Sequence, residues 1–431
     1  LCALTRLSAP LVISYMLRLG ETFIAIYFAS HLSRERNDTA IFAGISLAQM
    51  FATISAVSLF IGMSTALETL GSQFNGAENY SEVGIVLQRS IVVLFLMLVP
   101  VLVLWSFAEW IFLAIDVDKD ICAILKEYLA VMVFMLPVRI LSVSYRKYLI
   151  CVGVTWPALY CAIVQDVVFL SSGFLFVHQW QGGVQGVAWA SVLSTHCSAA
   201  FQFAVSWRHP YVQRTIRGPS IEAIDVGKIW EFVKLGTPGM IMICSEWWAY
   251  EILTLFASQI SAAAVTAQTL LFNLGNLSYM TPSCIGQGTA SLVGNAIGAN
   301  QITLASQLGD LYIYFTAWLD LVVIIPAVYF GGGPFVRFFT DDSDVIRICA
   351  TCIPVIAAAA LADGVQATNG GILRGSGKQK LGAYANVACY YSVGIPLAYV
   401  LCFWIKLEVT GLFLGIAAGS TIQCSIILFC I

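Results

Sequence analysis

The chain has 431 residues, of which 59% are hydrophobic and 10% are charged, and its formal net charge is −3. A soluble globular chain carries about 25% charged residues, so this composition, with a mean hydropathy of +0.85, excludes a soluble protein and predicts a polytopic membrane protein. The slightly acidic balance, without a basic tail, also argues against a nucleic-acid partner.

Twelve apolar segments are long enough to span a bilayer as helices, and they fall into two groups of six. The first group covers residues 8–32, 41–70, 86–115, 124–145, 153–177 and 184–207, and the second covers 229–257, 263–290, 308–336, 344–366, 381–405 and 409–431. The most polar connection lies between the groups. We therefore predict an all-α membrane protein with an N-terminal six-helix lobe at 1–207, a cytoplasmic linker at 208–228 and a C-terminal six-helix lobe at 229–431.

The two halves resemble each other, which indicates an internal duplication. Pro10 matches Pro238 at an offset of 228, and Gly153 matches Gly377 at an offset of 224. Because six is an even number of spans, both copies enter the bilayer in the same sense. The two lobes are then expected to be related by a pseudo-twofold axis along the membrane normal, with a cavity between them.

Lysine and arginine residues are more numerous in the loops on the same side of the membrane as the N-terminus. By the positive-inside rule, this distribution predicts that both termini are cytoplasmic. We expect the plasma membrane as the location, with a vacuolar or other organelle membrane as the alternative.

Two carboxylates interrupt the apolar span at 229–257. A charge at the centre of a membrane helix costs roughly 2.5–3.5 kcal/mol on insertion scales, so acids there indicate a function. Glu246 shares a helix face with Tyr250, and Glu251 shares one with Trp247. Rings beside a carboxylate suit an organic cation, and they also exclude water, which favours a protonated acid. The structural alternative is that both acids are used in helix–helix hydrogen bonds.

Other ionisable residues lie inside predicted spans, and each has two interpretations. Asp363 lies near a helix end, where an acid can equally be solvated or cap the helix. Asp166 and Asp320 are isolated acids, for which a partner on a neighbouring helix is as good an interpretation as transport. Arg18 and Glu21 are three residues apart, and mutual neutralisation is their simplest interpretation, with a gate or a second ion site as the alternative.

The sequence contains no nucleophile, base and oxyanion-site combination and no ATP-binding fingerprint, so we expect no enzyme. Active transport would then be driven by an ion gradient. An exchanger follows if one carboxylate, Glu246, binds either a proton or the substrate cation, because each then displaces the other. No cofactor and no bound metal are expected, and the coupling ion is H⁺, with Na⁺ as the alternative.

Five sets of short stretches stand out along the chain: Leu67-Glu68-Thr69-Leu70-Gly71-Ser72-Gln73 with Gly76-Ala77, Leu87-Gln88-Arg89, Glu246-Trp247-Trp248-Ala249-Tyr250-Glu251, Val293-Gly294-Asn295 with Gly298-Ala299, and Gly370-Gly371-Ile372-Leu373-Arg374-Gly375-Ser376-Gly377. In this order they resemble the multidrug and toxic compound extrusion (MATE) transporters, in particular their eukaryotic branch. The resemblance implies a V-shaped antiporter of twelve helices in two lobes, which expels cationic organic compounds against protons or sodium ions.

The same resemblance implies roles for individual residues. Glu246 matches the seventh-helix glutamate that the family ties to cation binding and proton coupling, Glu251 matches a second acid on that helix, and Asp363 stands where animal members carry a tenth-helix glutamate. Trp247, Tyr250 and Tyr279 match aromatic positions that line the cavity of the C-terminal lobe in the family. Asn273 stands where animal relatives have a glutamate, a departure that affects cation preference.

The sequence as a whole predicts a monomeric, proton-coupled exporter of small organic cations that works by alternating access. In this interpretation Glu246 is the exchange carboxylate, supported by Glu251 and Asp363. The alternatives are a sodium-coupled exporter and a lipid-linked precursor flippase of a related two-lobe fold, which would be expected to have a strongly basic cavity.

Overall fold

The computed structural model describes residues 2–36, 38–216 and 218–430, and within them the chain is helical with no β-strand. The described residues form twelve long helical stretches: α1 Cys2–Arg36, α2 Ala40–Gly76, α3 Tyr80–Ser106, α4 Lys119–Cys151, α5 Trp156–Gln179, α6 Gly183–Trp207, α7 Val226–Ser258, α8 Ala262–Gly298, α9 Ile302–Phe339, α10 Ser343–Ser376, α11 Gln379–Trp404 and α12 Glu408–Cys430. Short helical segments at Ala108–Ala114, Pro210–Thr215 and Ile221–Ile224 lie in the connections. Each long stretch overlaps one of the twelve predicted spans. Judged by length and composition alone, nine of the helices in the described residues could cross a membrane. The prediction of an all-α, multi-pass membrane protein is confirmed.

Local sequence signals explain where several helices begin and end. Asp118 caps the start of α4, where its carboxylate accepts the Asp120 N–H at 2.8 Å. Ser261 caps α8 through the Ala264 N–H at 3.0 Å. Such side-chain acceptors satisfy backbone N–H groups that have no partner within the helix. At the other end of α10, Gly377 adopts φ +74°, a left-handed cap that glycine adopts without strain.

Four of these stretches contain π-helical turns. The five π-helical turns are Thr53–Val57 in α2, Phe174–Gln179 in α5, Asp320–Ile324 in α9, and Val387–Gly394 and Val400–Trp404 in α11. A π-helical turn interrupts the regular hydrogen-bond ladder and is frequent at functional sites. The turn in α9 begins at an acid, Asp320.

The chain divides into two compact units. The N-terminal unit comprises Ala9–Leu67 and Asn79–Lys234, and the C-terminal unit comprises the rest of the described chain, including Glu68–Glu78. The last turns of α2 therefore pack within the C-terminal unit, although they belong to the first half of the sequence. The predicted lobe boundaries at 207 and 229 stay a prediction.

The connection between α6 and α7 is held against α3 within the N-terminal unit. The Gln88 side chain donates to the Gly218 carbonyl at 2.7 Å and accepts the Ser220 N–H at 2.8 Å. Arg89 donates to the Glu222 carbonyl at 3.1 Å. The linker is thus anchored to α3 between Gly218 and Glu222. The Gln88-Arg89 pair, which is part of the resemblance to MATE transporters, has a structural role there. Arg217, within the predicted linker, lies outside the described residues.

Candidate functional site

Glu246 lies halfway along α7 and is half-buried. The Tyr279 hydroxyl, from α8, lies within hydrogen-bonding reach of its carboxylate. Asp363 of α10 and Arg374 at the end of the same helix both act on it electrostatically. The structure therefore places Glu246 where three helices of the C-terminal unit converge, and the predicted partners Asp363 and Tyr279 are beside it.

Asp363 is the second acid of this group, and it is half-buried as well. Its carboxylate lies within hydrogen-bonding reach of the Ser420 hydroxyl on α12. It also acts electrostatically on Tyr250 and on Asp320. Asp363 is half-buried and interacts electrostatically with Glu246, Tyr250 and Asp320, which favours its interpretation as part of the same polar cluster.

Tyrosine rings surround the two acids. Tyr279 and Tyr250 are half-buried, and Tyr250 lies 5.5 Å from Phe272 between ring centroids. Tyr390 of α11 is 1% exposed, and its hydroxyl donates to Gln366 Oε1 at 3.2 Å. We call Glu246, Asp363 and these three tyrosines the acid–tyrosine cluster. Aromatic faces next to carboxylates provide both charge pairing and cation–π contact for an organic cation.

The chemistry of the acid–tyrosine cluster follows from its charge. Two carboxylates that interact inside a membrane protein repel each other, and a charge there is costly unless it is paired. Arg374 is the cation that acts on Glu246, and it is itself 2.9 Å from the Glu68 carboxylate. The cluster can therefore lower its energy by taking up a proton or a substrate cation.

The remaining predicted residues lie on the same helices with different surroundings. Glu251 is half-buried on α7, and among the described residues no charged side chain acts on it. Trp247 is half-buried. The Asn273 amide donates to the Thr269 carbonyl of its own helix at 2.9 Å, so its side chain is turned back onto α8. The structure brings Glu246, Asp363, Tyr250 and Tyr279 together, whereas Glu251 stands apart from them.

Asp320 is a member of this region that sequence reasoning left undecided. It is 0% exposed, and both carboxylate oxygens lack a hydrogen-bond partner among the described residues. The carboxylate packs so closely on Gly364 of α10 that a Cβ at that glycine would overlap it. The only signal in the sequence was an acid within an apolar span, which does not identify the facing glycine.

A search for metal ligands gives a negative result within the described chain. No group of three or more His, Cys, Asp or Glu side chains there is arranged to hold a metal ion.

Comparison with known proteins identifies the family. The MatE family model matches the chain twice, over residues 10–174 and 238–400. The chain belongs to the MatE family. The double match also confirms the internal duplication, since the second copy starts 228 residues after the first. Membership of the MatE family makes the chain a membrane transporter and not an enzyme.

Relatives in the MatE family match along nearly the whole chain. The chain is 31% identical to multidrug and toxin extrusion protein 1 of Mus musculus, with 98% of the chain and 73% of the relative covered. It is 31% identical to the human protein of the same name, with 98% and 72% covered. It is 30% identical to the uncharacterized transporter C4B3.13 of Schizosaccharomyces pombe, with 100% and 78% covered.

Solved structures of MATE transporters share the fold. The crystal structure of the eukaryotic MATE transporter AtDTX14 gives a TM-score of 0.91 at 23% identity, with 99% of this chain and 94% of that chain covered. The Vibrio cholerae MATE transporter VcmN, in its bent form, gives 0.85 at 15% identity, with 99% and 95% covered. The predicted MATE-type fold of two pseudo-symmetric six-helix lobes is consistent with these likenesses.

Proposed function

We propose that the chain exports small organic cations in exchange for protons. The observation that carries the proposal is the acid–tyrosine cluster, in which Glu246 of α7 and Asp363 of α10 interact electrostatically with each other and with Tyr250. The names of the mouse and human relatives, multidrug and toxin extrusion protein 1, support an export function.

Glu246 is the proposed exchange carboxylate. With a proton bound, its charge is neutralised and the repulsion from Asp363 disappears. With an organic cation bound, the same negative charges and the rings of Tyr250 and Tyr279 stabilise the cargo. Because proton and cargo compete for one carboxylate, each expels the other when the site alternates between the two sides of the membrane.

Asp363 has a supporting role in this proposal. It acts electrostatically on Glu246 and keeps a second negative charge near the exchange carboxylate. Glu251 has no charged neighbour among the described residues, so we assign it a weaker contribution than its place on α7 first implied.

Sodium coupling is the main alternative within transport. The carboxylates of the acid–tyrosine cluster, together with the Ser420 hydroxyl, are oxygen ligands of the kind that hard cations prefer. A flippase for lipid-linked precursors is a weaker alternative. The proposed cargo site carries acids, which repel an anionic headgroup.

The experiment that separates these functions uses purified protein in liposomes. Vesicles loaded at acid pH are diluted into neutral medium containing radiolabelled tetraethylammonium, and a second set is loaded with sodium at uniform pH. Proton exchange predicts accumulation in the acid-loaded vesicles alone. Accumulation in the sodium-loaded vesicles alone would replace the proton by sodium, and accumulation in neither would reject cation exchange.

Two variants on α7 locate the coupling site. Glu246→Gln removes the proposed exchange carboxylate and is expected to abolish gradient-driven accumulation. Glu231→Gln is the matched control, because Glu231 lies on the same helix but is exposed and paired with Lys228 at 3.1 Å. Accumulation that persists in Glu246→Gln would move the coupling site to another acid.

We place the protein in the plasma membrane as a monomer, with both termini in the cytoplasm. The loop charges support this orientation. Labelling of single cysteines in the terminal segments, from one side of intact cells, tests it directly.

A further inference from the structure

Three arginines of the N-terminal unit, which belong to α1 and α4, interact with one another. Arg139 and Arg146 are seven residues apart on α4, so both project from the same side of that helix. Arg18 of α1 interacts electrostatically with both. Like charges that are collected at one place inside a membrane protein repel, and such an arrangement marks a functional site unless it is neutralised locally. We call these residues the arginine cluster.

Local acids neutralise the arginine cluster only in part. Glu21 of α1 interacts with Arg18 and Arg139, and Asp166 of α5 interacts with Arg18. Three guanidinium groups and two carboxylates leave one net positive charge. The Glu21 carboxylate also has a neutral partner, because one of its oxygens accepts a hydrogen bond from the Gln165 amide at 2.8 Å. The mutual neutralisation of Arg18 and Glu21 that the sequence favoured therefore accounts for only part of this arrangement.

The arginine cluster also has unused hydrogen-bond donors. The Nε atoms of Arg18 and Arg139 are buried, and neither donates to any group among the described residues. Both residues are half-buried, so part of each one is accessible. The Arg146 guanidinium lies 5.2 Å from the centroid of the Tyr15 ring, which provides an apolar surface at the edge of the cluster.

We propose that the arginine cluster binds the carboxylate group of a small organic anion. A guanidinium presents parallel N–H donors in a planar fork that matches the two oxygens of a carboxylate. One bound carboxylate would cancel the net charge and accept the free donors, and the Tyr15 ring would contact the organic part of the ligand. The site is chemically opposite to the acid–tyrosine cluster, and it does not depend on proton or cation exchange there.

If the arginines had a purely structural role, we would expect a different ratio of positive to negative side chains. Arginines that served only to stabilise Glu21 and Asp166 would need no more positive charges than there are acids, and their donors would be used within the protein. The extra arginine and the free Nε atoms separate the two interpretations, so binding can be tested directly.

The test is titration calorimetry of benzoate into the purified full chain, with benzamide as the uncharged analogue and sulfate as a competing anion. We expect benzoate to bind, benzamide not to bind, and Arg139→Gln to weaken benzoate binding by about tenfold, which corresponds to one charge-assisted contact. Arg208→Gln, an exposed arginine of the same unit, should leave the affinity unchanged. Absence of benzoate binding, equal binding by Arg139→Gln, or binding of sulfate alone would overturn the proposal.

A second variant covers the case in which Arg139→Gln does not fold. Arg139→Lys keeps the charge but removes the planar fork, so it should also bind benzoate more weakly. Unchanged affinity in this variant would overturn the carboxylate assignment. Glu246→Gln should bind benzoate like the parent protein, so failure of cation export and failure of this site give different results.

Discussion

Arg374 Nε lies 2.9 Å from Glu68 Oε2, and this ion pair is deep within the C-terminal unit. The Glu68 side chain is 2% exposed and that of Arg374 is 12% exposed. Around the pair, the Thr69 hydroxyl donates to the Arg374 carbonyl, and Gln73 donates to the Gly375 carbonyl at 3.0 Å. The end of α2 is thus fastened to the end of α10 by residues from two stretches that carry the resemblance to MATE transporters.

Breaking this ion pair on one side should be strongly destabilising. Arg374→Gln leaves the Glu68 carboxylate buried without its cation, and we expect a loss of about 3–5 kcal/mol. Thermal unfolding of the purified protein measures it. Glu231→Gln, which removes an exposed pair with Lys228, should change stability by less than about 1 kcal/mol. A double variant, Glu68→Gln with Arg374→Gln, should recover part of the loss, and full additivity of the two single losses would contradict a direct pair.

Two glycines meet the opposite helix in the same way near this ion pair. A Cβ at Gly76 would overlap the Asn295 carbonyl, and a Cβ at Gly298 would overlap the Gln73 carbonyl. The two positions correspond in the internal repeat, at an offset of 222. The ends of α2 and α8 therefore form a reciprocal contact that only glycine permits.

Alanine at Gly76 or Gly298 should lower the melting temperature, because the two backbones would have to separate. Gly333→Ala is the matched control, since no atom lies within 4 Å of a Cβ there. In the helix interior that control should be neutral or stabilising by about 0.5–1 kcal/mol. Equal effects of Gly76→Ala and Gly333→Ala on the melting temperature would show that the close approach is unimportant.

Single site residues could be predicted from the sequence, whereas contacts between residues on different helices could not. Glu246 could be identified from the chain alone, because a charge within an apolar span is conspicuous. That Tyr279 belongs to the same site as Glu246 came only from the resemblance, since residues on different helices have no pattern that relates them. The Asp320–Gly364 contact and the arginine cluster were missed for the same reason: helix rotation and packing decide which side chains meet.

The spans themselves were more predictable than the packing of their ends. Apolar length alone indicated all twelve helices. The assignment of Glu68–Glu78 to the C-terminal unit could not be inferred, because it depends on the ion pair and on the reciprocal glycine contact. Hydropathy reports burial in lipid, and it does not say which helix is the neighbour.

Substitution of Asp320 tests whether its buried carboxylate, which has no hydrogen-bond partner among the described residues, costs stability. Asp320→Asn removes the charge and keeps the shape, so we expect the melting temperature to stay the same or rise, since an unpaired buried charge is costly. Asp310→Asn, an exposed acid on the same helix, should have no effect. A clear drop in the melting temperature of Asp320→Asn alone would indicate that the carboxylate has a stabilising partner.

The Tyr279 hydroxyl provides the sharpest test of how Glu246 is positioned. Tyr279→Phe keeps the aromatic ring for cargo contact and removes only the hydroxyl, which lies within hydrogen-bonding reach of the carboxylate. We expect tetraethylammonium exchange in liposomes to fall by about tenfold, the effect of one hydrogen bond to a charged group. Tyr312→Phe is the matched control, because Tyr312 is also buried in the C-terminal unit, where it packs against Leu4 and Ile285 away from the acids. If the two variants transport equally well, the hydroxyl does not position Glu246, and the proposed mechanism would rest on the carboxylates alone.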